Sequence, residues 1–186
     1  MLLSELIKGL NPDKIKGDKD VEINDIAYDS RKVKNGSLFV CIEGTVADGH
    51  DYIPSALENG ARALLVQKDV EVPDGITVVK VGNTRYALAY VSDAFYNHPS
   101  GRFNLIGVTG TKGKTTITYM IKSILEQEKH KVGLIGTVAN MIGDQVLYAE
   151  RTTPESYDLQ SLFSEMLEKD VDSVVMEVSS QGLALN

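Results

Sequence analysis

The sequence is poor in cysteine, tryptophan and long apolar runs. It has one cysteine, Cys41, and no tryptophan in 186 residues. A single cysteine excludes an internal disulfide and favours a reducing compartment. Cys41 lies in the apolar run 38–42, which predicts a buried core residue. Because no run of about 18 apolar residues occurs and no basic region precedes an apolar N-terminal stretch, we expect a cytoplasmic protein without membrane insertion.

Positive charge and histidine are also scarce. Nineteen Lys and Arg face 26 Asp and Glu, for a net charge of −7. This balance argues against a general nucleic-acid or anionic-membrane surface but not against one local anion site. The histidines, His50, His98 and His130, lack the spacing of a zinc site, so we expect each to be a surface or capping residue. A composition of 42% hydrophobic and 24% charged residues is typical of a folded globular protein.

Strand-like apolar runs alternate with segments of helical period along the chain, which predicts an α/β fold. A break at Pro99-Ser100-Gly101 places a domain boundary there, giving domains of residues 1–100 and 101–186. The second domain would hold about three parallel strands, so we expect a piece of a longer protein. The pattern predicts strands over 37–42, 63–67, 77–81, 103–108, 132–135 and 173–178, helices over 52–59, 84–96, 114–127 and 157–167, and a hairpin around 143–144.

The helix over 114–127 carries an apolar stripe at helical spacing. Its members are Ile117, Met120, Ile121, Ile124 and Leu125. Such a stripe predicts core residues that face a sheet.

A glycine-rich segment between an apolar strand and this helix predicts a phosphate-binding loop. In Gly110-Thr111-Lys112-Gly113-Lys114-Thr115-Thr116, backbone N–H groups and the helix N-terminus would hold an anion. Lys114 would reach the terminal phosphates and Thr115 would ligate Mg²⁺. Val108 stands where the usual pattern has its first glycine, and a glycine-rich turn without a ligand is the alternative.

Two further polar segments are candidates for the same site. Glu177 comes at the C-terminal end of a buried strand, where open α/β sheets bind ligands, and suits a magnesium ligand. The alternative is a carboxylate that reaches solvent at the strand end. Thr152-Thr153-Pro154-Glu155 by itself predicts a helix start, with Thr153 as the N-cap and Pro154 in the first turn.

Five segments, taken in order, resemble the N-terminal part of Mur ligases, and among these the enzymes that add the third amino acid of the peptidoglycan stem peptide. The resemblance covers essentially the whole chain. The segments are Asp29-Ser30-Arg31 with Gly36-x-Leu38-Phe39-Val40, Asp48-Gly49-His50 with Gly60-Ala61, the 110–116 loop, Thr152-Thr153-Pro154-Glu155, and Glu177-Val178-Ser179-Ser180.

The resemblance implies an N-terminal domain for the UDP end of UDP-N-acetylmuramoyl-L-Ala-D-Glu, followed by the start of a central P-loop ATPase domain. The implied activity is ATP-dependent ligation of meso-diaminopimelate or L-lysine through an acyl phosphate, in cell-wall synthesis and hence in cell shape and division. The implied cofactors are ATP and Mg²⁺. Carried over by position, the substrate contacts are Tyr28, Ser30, Thr45, Val46, Ala47, Thr152, Thr153 and Ser179, the ATP contacts are residues 110–116 with Lys114 catalytic, and the metal ligands are Thr115 and Glu177.

The chain departs from the usual pattern of these ligases at three positions. Lys112 and Arg151 stand where asparagine is usual, and Gln181 stands where histidine is usual. The amino-acid-binding domain that the resemblance implies is not in these residues, so we expect the chain by itself not to catalyse ligation. The alternatives are a related amide ligase of the folylpolyglutamate or cyanophycin synthetase type, a UDP-sugar or nucleotide-binding module without turnover, and a GTPase or kinase P-loop.

Overall fold

The computed structural model describes residues 1–44 and 47–185. Its contacts divide the chain into two compact units, Met1–Phe95 and Tyr96–Asn186. The division falls shortly before the boundary expected at Pro99, because the helix that ends at Phe95 closes the first unit. Both units are α/β, which confirms the predicted fold class. In the described residues, no helix has the length and apolarity needed to cross a membrane.

The described residues of the first unit form a five-stranded sheet with three helices. The elements are α1 (Leu3–Leu6), β1 (Lys14–Lys16), β2 (Asp25–Ala27), β3 (Ser37–Val40), α2 (Ile53–Glu58), β4 (Ala63–Val66), β5 (Thr77–Lys80) and α3 (Thr84–Phe95), with 3₁₀ turns at Ser30–Lys32 and Gly49–Tyr52. Strands β2, β3, β4 and β5 are parallel in the order β5-β4-β3-β2, and β1 pairs antiparallel with β5 at the edge.

The core of the first unit lies on β3 and β4, whose residues are all buried. Continuous apolar runs of this kind suit parallel strands that are covered on both faces. Cys41 follows β3 and is fully buried, as predicted. Burial raises the pKa of its thiol to about 12, so Cys41 is an inert core residue.

The described residues of the second unit form a mixed five-stranded sheet with three helices. The elements are a 3₁₀ turn (Pro99–Arg102), β6 (Asn104–Val108), α4 (Lys114–Gln127), β7 (Val132–Ile135), β8 (Asn140–Ile142), β9 (Gln145–Leu147), α5 (Ser156–Glu168), β10 (Ser173–Glu177) and α6 (Ser180–Ala184). The strand order is β6-β10-β7-β8-β9, and β6, β10 and β7 are parallel. Strand β8 pairs antiparallel with β7 on one side and with β9 on the other, and β8 and β9 form the predicted hairpin.

The predicted apolar stripe of α4 is only partly covered. Ile117, Met120 and Ile124 are 45%, 60% and 61% exposed, and Ile121 and Leu125 are half-buried, whereas the buried residues of α4 are Thr118 and Lys122. The prediction was wrong for the three exposed residues because the helix packs on β7 and β10 through the neighbouring face. Strand β6, at the edge of the sheet, is also largely open to solvent.

Candidate functional site

The glycine-rich loop connects β6 to α4 at the C-terminal end of the parallel strands. Gly110 and Gly113 have φ angles of +151° and +81°, a region that glycine adopts without strain. Gly113 is the N-cap of α4, and its carbonyl accepts the N–H of Ile117 at 2.9 Å. The loop residues 110–113 are exposed. Several N–H groups and the start of a 14-residue helix therefore lie together, an arrangement that suits a phosphate group.

Lys114 lies over this loop. Its ammonium Nζ donates a hydrogen bond to the carbonyl oxygen of Gly110 at 2.7 Å. The positive charge is thereby held next to the N–H groups that would receive a phosphate. Lys112 is exposed in the same loop. The loop is thus suited to a polyanion such as the phosphates of ATP, which fits the cofactor that the sequence implied.

Glu177 is the centre of the hydrogen-bond network in this unit. It ends β10 and is 1% exposed, so the alternative of a solvent-reaching carboxylate was wrong. Its Oε1 accepts the hydroxyl of Thr115 at 2.9 Å and the N–H of Thr137 at 3.0 Å, while Oε2 accepts the hydroxyl of Thr137 at 3.1 Å. A carboxylate buried to this extent requires such partners to offset its desolvation.

The Thr115 and Glu177 oxygens fit a magnesium ion. Octahedral Mg²⁺ with ligands at about 2.0–2.1 Å places neighbouring ligand oxygens about 2.9 Å apart, close to the observed Thr115–Glu177 separation. In residues 1–44 and 47–185 no group of three or more His, Cys, Asp and Glu side chains could hold a metal ion. A site with few protein oxygens is typical of Mg²⁺ that also binds phosphates and water.

Thr152, Thr153 and Ser179 lie around Glu177. The Thr153 hydroxyl donates to the Glu177 carbonyl at 3.0 Å and accepts the N–H of Ser179 at 3.0 Å. The Thr152 hydroxyl is 3.0 Å from that of Thr137. Ser179 caps α6 by accepting the N–H of Gly182 at 3.0 Å. The structure therefore brings the three expected substrate contacts to the edge where Glu177 lies.

The capping role predicted for Thr153 was wrong. Helix α5 begins at Ser156, and its N-cap is Glu155 without a side-chain capping bond. The Thr153 hydroxyl is instead used to join the 152–153 segment to the end of β10. Arg151, one of the three departures, is an exposed residue whose guanidinium pairs with buried Glu155 at 3.3 Å. Gln181 is exposed on α6.

Sequence reasoning missed Gly136 and Thr137. These residues directly follow β7, so they lie at the same C-terminal edge as Glu177, and that position was the available signal. A Cβ on Gly136 would stand 2.5 Å from Glu177 Oε1, and only glycine leaves room for the carboxylate. Thr137 supplies two of the hydrogen bonds that hold it.

The first unit carries the other expected contacts at the C-terminal ends of β2 and β3. Asp29 caps the 3₁₀ turn that follows β2 and holds the Arg31 guanidinium, with Nη2 to Oδ2 at 2.7 Å. Hydrogen bonding to Arg31 lowers the pKa of Asp29. Ser30 is buried, and its carbonyl accepts the side-chain amide of Asn59 at 2.9 Å. Tyr28 is half-buried at the end of the strand.

The remaining contacts follow β3. Ala47 is exposed at this edge of the sheet. Thr45 and Val46 lie outside the described residues. Because β2 and β3 are adjacent and parallel, residues 28–30 and Ala47 leave the same edge of the sheet. The prediction that His50 is a surface or capping residue was wrong. Its side chain is only 7% exposed and lies in a hydrogen-bond network with Asp48 and Gln67.

Comparison with known proteins shows two family matches. Residues 22–98 match the model of the Mur ligase family, catalytic domain, and residues 108–186 match the Mur ligase middle domain. Among solved structures, a UDP-N-acetylmuramoyl-L-alanyl-D-glutamate–2,6-diaminopimelate ligase has a TM-score of 0.81 at 22% identity, covering 100% of this chain and 37% of its own. The MurF ligase of Thermotoga maritima in complex with ADP has a TM-score of 0.56 at 27% identity, covering 88% of this chain and 34% of its own.

Curated relatives match at higher identity. The UDP-N-acetylmuramoyl-L-alanyl-D-glutamate–2,6-diaminopimelate ligases of Clostridioides difficile (strain 630) and Alkaliphilus metalliredigens (strain QYMF) are 51% and 52% identical to the chain. Each match covers 100% of this chain. The chain spans 38% and 37% of the length of these two relatives.

Proposed function

The chain belongs to the Mur ligase family, and from this membership we propose that it provides the UDP-binding domain and the beginning of the ATPase domain of a ligase of the peptidoglycan stem peptide. The substrates proposed for the whole protein are ATP, UDP-N-acetylmuramoyl-L-Ala-D-Glu and a free amino acid. The observation that carries the proposal is the network of Thr115, Glu177, Thr137, Thr152 and Thr153, which joins the phosphate loop to the expected muramoyl-peptide contacts.

The third amino acid is proposed to be 2,6-diaminopimelate. The sequence left meso-diaminopimelate and L-lysine open. The relatives at 51% and 52% identity are named as 2,6-diaminopimelate ligases, which favours the first. A ligation assay of the whole protein with each amino acid tests this choice, and faster product formation with L-lysine would contradict it.

The chemistry proposed for the whole protein is phosphorylation of the free D-glutamyl carboxylate by ATP, followed by attack of the amino group on the acyl phosphate and release of phosphate. In this chain the loop N–H groups and Lys114 would hold the phosphates and neutralise their charge as the phosphoryl group moves. Thr115 and Glu177 would hold Mg²⁺, which supplies further charge neutralisation when bound. Thr152, Thr153 and Ser179 would hold the muramoyl-peptide side, and Tyr28, Ser30, Thr45, Val46 and Ala47 the uridine end. No covalent nucleophile on the protein is needed.

Calorimetric titration of the chain with ADP and Mg²⁺ tests the ATP site. The variant is Lys114→Met, which keeps the length of the side chain and removes its charge. The matched control is Lys131→Met, an exposed lysine directly before β7, at the opposite end of that strand from the loop. We expect the Lys114 variant to bind ADP at least about tenfold more weakly, since charge-assisted phosphate contacts are among the strong hydrogen bonds. Equal affinity of both variants for ADP would contradict the proposed site.

Titration with UDP-N-acetylmuramoyl-L-Ala-D-Glu tests the proposed substrate contacts separately from the ATP site. Binding of this compound by the chain supports the proposed roles of residues 28–30 and 47 at the uridine end and of Thr152, Thr153 and Ser179 at the muramoyl-peptide side. Binding of folate or of a dipeptide without the UDP group in its place would favour the related amide ligases instead. The two titrations use different ligands, so failure of one site is distinguishable from failure of the other.

A further inference from the structure

Two short chain segments that follow β3 pair with each other beyond the C-terminal end of that strand. Glu43 and Asp48 form an antiparallel bridge, and the N–H of Gly44 donates to the Ala47 carbonyl at 2.9 Å. The N–H of Gly49 donates to the Ile42 carbonyl at 2.9 Å. We refer to residues 43–44 and 47–49 as the paired segments. They set the position of Ala47, a proposed contact of the uridine end.

Lys68 connects both sides of the paired segments. Its ammonium Nζ is 2.5 Å from Asp48 Oδ2 and 3.4 Å from Glu43 Oε1. One cation therefore holds a carboxylate from each segment. The hydrogen bond from Lys68 is the largest cause that keeps the pKa of Asp48 well below its usual range, so this carboxylate is charged at neutral pH.

His50 forms a second connection from the same carboxylate. Its Nε2 accepts the backbone N–H of Gln67 at 3.1 Å, and its Nδ1 is 2.5 Å from Asp48 Oδ1. Because the N–H of Gln67 can only donate, Nε2 carries no proton, and the hydrogen on Nδ1 is donated to Asp48. The imidazole side chain is 7% exposed and is thus a buried bridge with a defined tautomer.

Both connections end on a rigid part of the sheet. Gln67 and Lys68 directly follow β4, whose residues are all buried. The side-chain oxygen of Gln67 accepts the N–H of Thr84, the first residue of α3, at 2.9 Å. The paired segments are therefore tied through Asp48 to the end of β4 and the start of α3.

We propose that Lys68 and His50 are positioning residues, which hold the paired segments and Ala47 in the arrangement that receives the uridine diphosphate end of the substrate. This inference rests on the function proposed for the first unit. Pre-ordering of these segments would lower the entropic cost of binding. Neither residue needs to touch the ligand.

The test is titration of the chain with UDP-N-acetylmuramoyl-L-Ala-D-Glu in four variants. Lys68→Met and His50→Leu remove the two connections. His50→Gln keeps a donor and an acceptor, and Lys80→Met is the matched control because it breaks a surface pair, Lys80–Asp69 at 2.8 Å, elsewhere on the sheet. We expect Lys68→Met and His50→Leu to weaken binding of the substrate by roughly fivefold to tenfold, because the released segments must then be ordered when the substrate binds. His50→Gln should recover part of the affinity, and Lys80→Met should match the unaltered chain.

A second readout separates positioning from loss of the fold. In chain labelled at alanine methyl groups, the NMR signal of Ala47 should shift or broaden in Lys68→Met and His50→Leu, while that of Ala63, fully buried in β4, should stay. If the Ala63 signal also shifts in His50→Leu, that variant has disturbed the sheet, and the result for Lys68→Met, at an exposed residue, decides the test. Unchanged affinity together with an unchanged Ala47 signal would overturn the positioning roles of Lys68 and His50 and leave the function proposed for the first unit intact. Absence of binding by the unaltered chain would overturn the function proposed for the first unit and this inference with it.

Discussion

The hydroxyl of Thr115, at the start of α4, lies 2.9 Å from the carboxylate of Glu177, at the end of β10, although 62 residues separate them in sequence. The parallel pairing of β6 with β10 causes this approach, because Glu177 is in register with Val108, the last residue of β6. The loop that follows Val108 then turns into α4 beside the carboxylate. A phosphate-binding loop and an acid are thereby joined at one edge of the sheet.

Substitution of Glu177 by glutamine should uncouple Mg²⁺ from nucleotide binding. The amide has nearly the same shape but no charge, so it is a much poorer ligand for Mg²⁺. In the unaltered chain we expect Mg²⁺ to strengthen ADP binding by on the order of tenfold over an EDTA-treated sample. In Glu177→Gln the ratio of the ADP affinity with Mg²⁺ to the ADP affinity in EDTA should fall towards one, as measured by calorimetry. Glu165→Gln, on an exposed pair with Lys169, is the control, and an undiminished ratio in Glu177→Gln would exclude Glu177 as a ligand.

Substitution of Thr137 by valine should destabilise the second unit. The change removes the hydroxyl that donates to Glu177 Oε2 at 3.1 Å and leaves a buried carboxylate oxygen without that partner. We expect the free energy of unfolding to fall by about 1–2 kcal/mol, measured by urea denaturation. Thr137→Ser, which retains the hydroxyl, should recover most of this loss. Equal stability of the valine and serine variants would show that the hydroxyl does not support Glu177.

Substitution of Gly49 by alanine should disrupt the paired segments. An added Cβ would stand 2.7 Å from the Ile42 nitrogen and 2.9 Å from its oxygen, and these backbone atoms cannot move aside cheaply. We expect a loss of about 1–3 kcal/mol in the free energy of unfolding. Gly82→Ala, at a position with nothing within 4 Å, should change it by less than about 0.5 kcal/mol. A Gly49 variant as stable as the Gly82 variant would contradict the close approach.

Substitution of Met120 by lysine should leave the stability of the chain almost unchanged. Met120 is 60% exposed on α4, so the change should alter the free energy of unfolding by less than about 0.5 kcal/mol. Phe163→Ala, in the core of the second unit at 2% exposure, should cost about 3–5 kcal/mol. Met120→Lys should also reduce binding of a dye that reports apolar surface. A large loss of stability in this variant would restore the original prediction of a core stripe.

Most of the secondary structure could be predicted because it depends on local patterns. The strand over 132–135 was predicted at its observed bounds, and the helix after the loop ends at Gln127 as expected. The hairpin around Gly143 followed from two short apolar pairs that flank a turn. The helix predicted over 157–167 lies within one residue of α5 at each end, but its N-cap was wrongly assigned to Thr153. The hydroxyl of Thr153 has a non-local partner, the end of β10, and a cap pattern carries no information about such a partner.

The order of motifs along the chain by itself determined the fold class, the phosphate loop and the family, because each depends on residue types at short spacing. Only the tertiary structure decided that Glu177 is buried, that Thr137 holds it, that three residues of the α4 stripe are exposed and that His50 is a buried bridge. These features depend on which strand ends meet and which helix face packs on the sheet. Contacts between residues 40 or 62 positions apart arise from the register of parallel strands, and no local pattern contains that register.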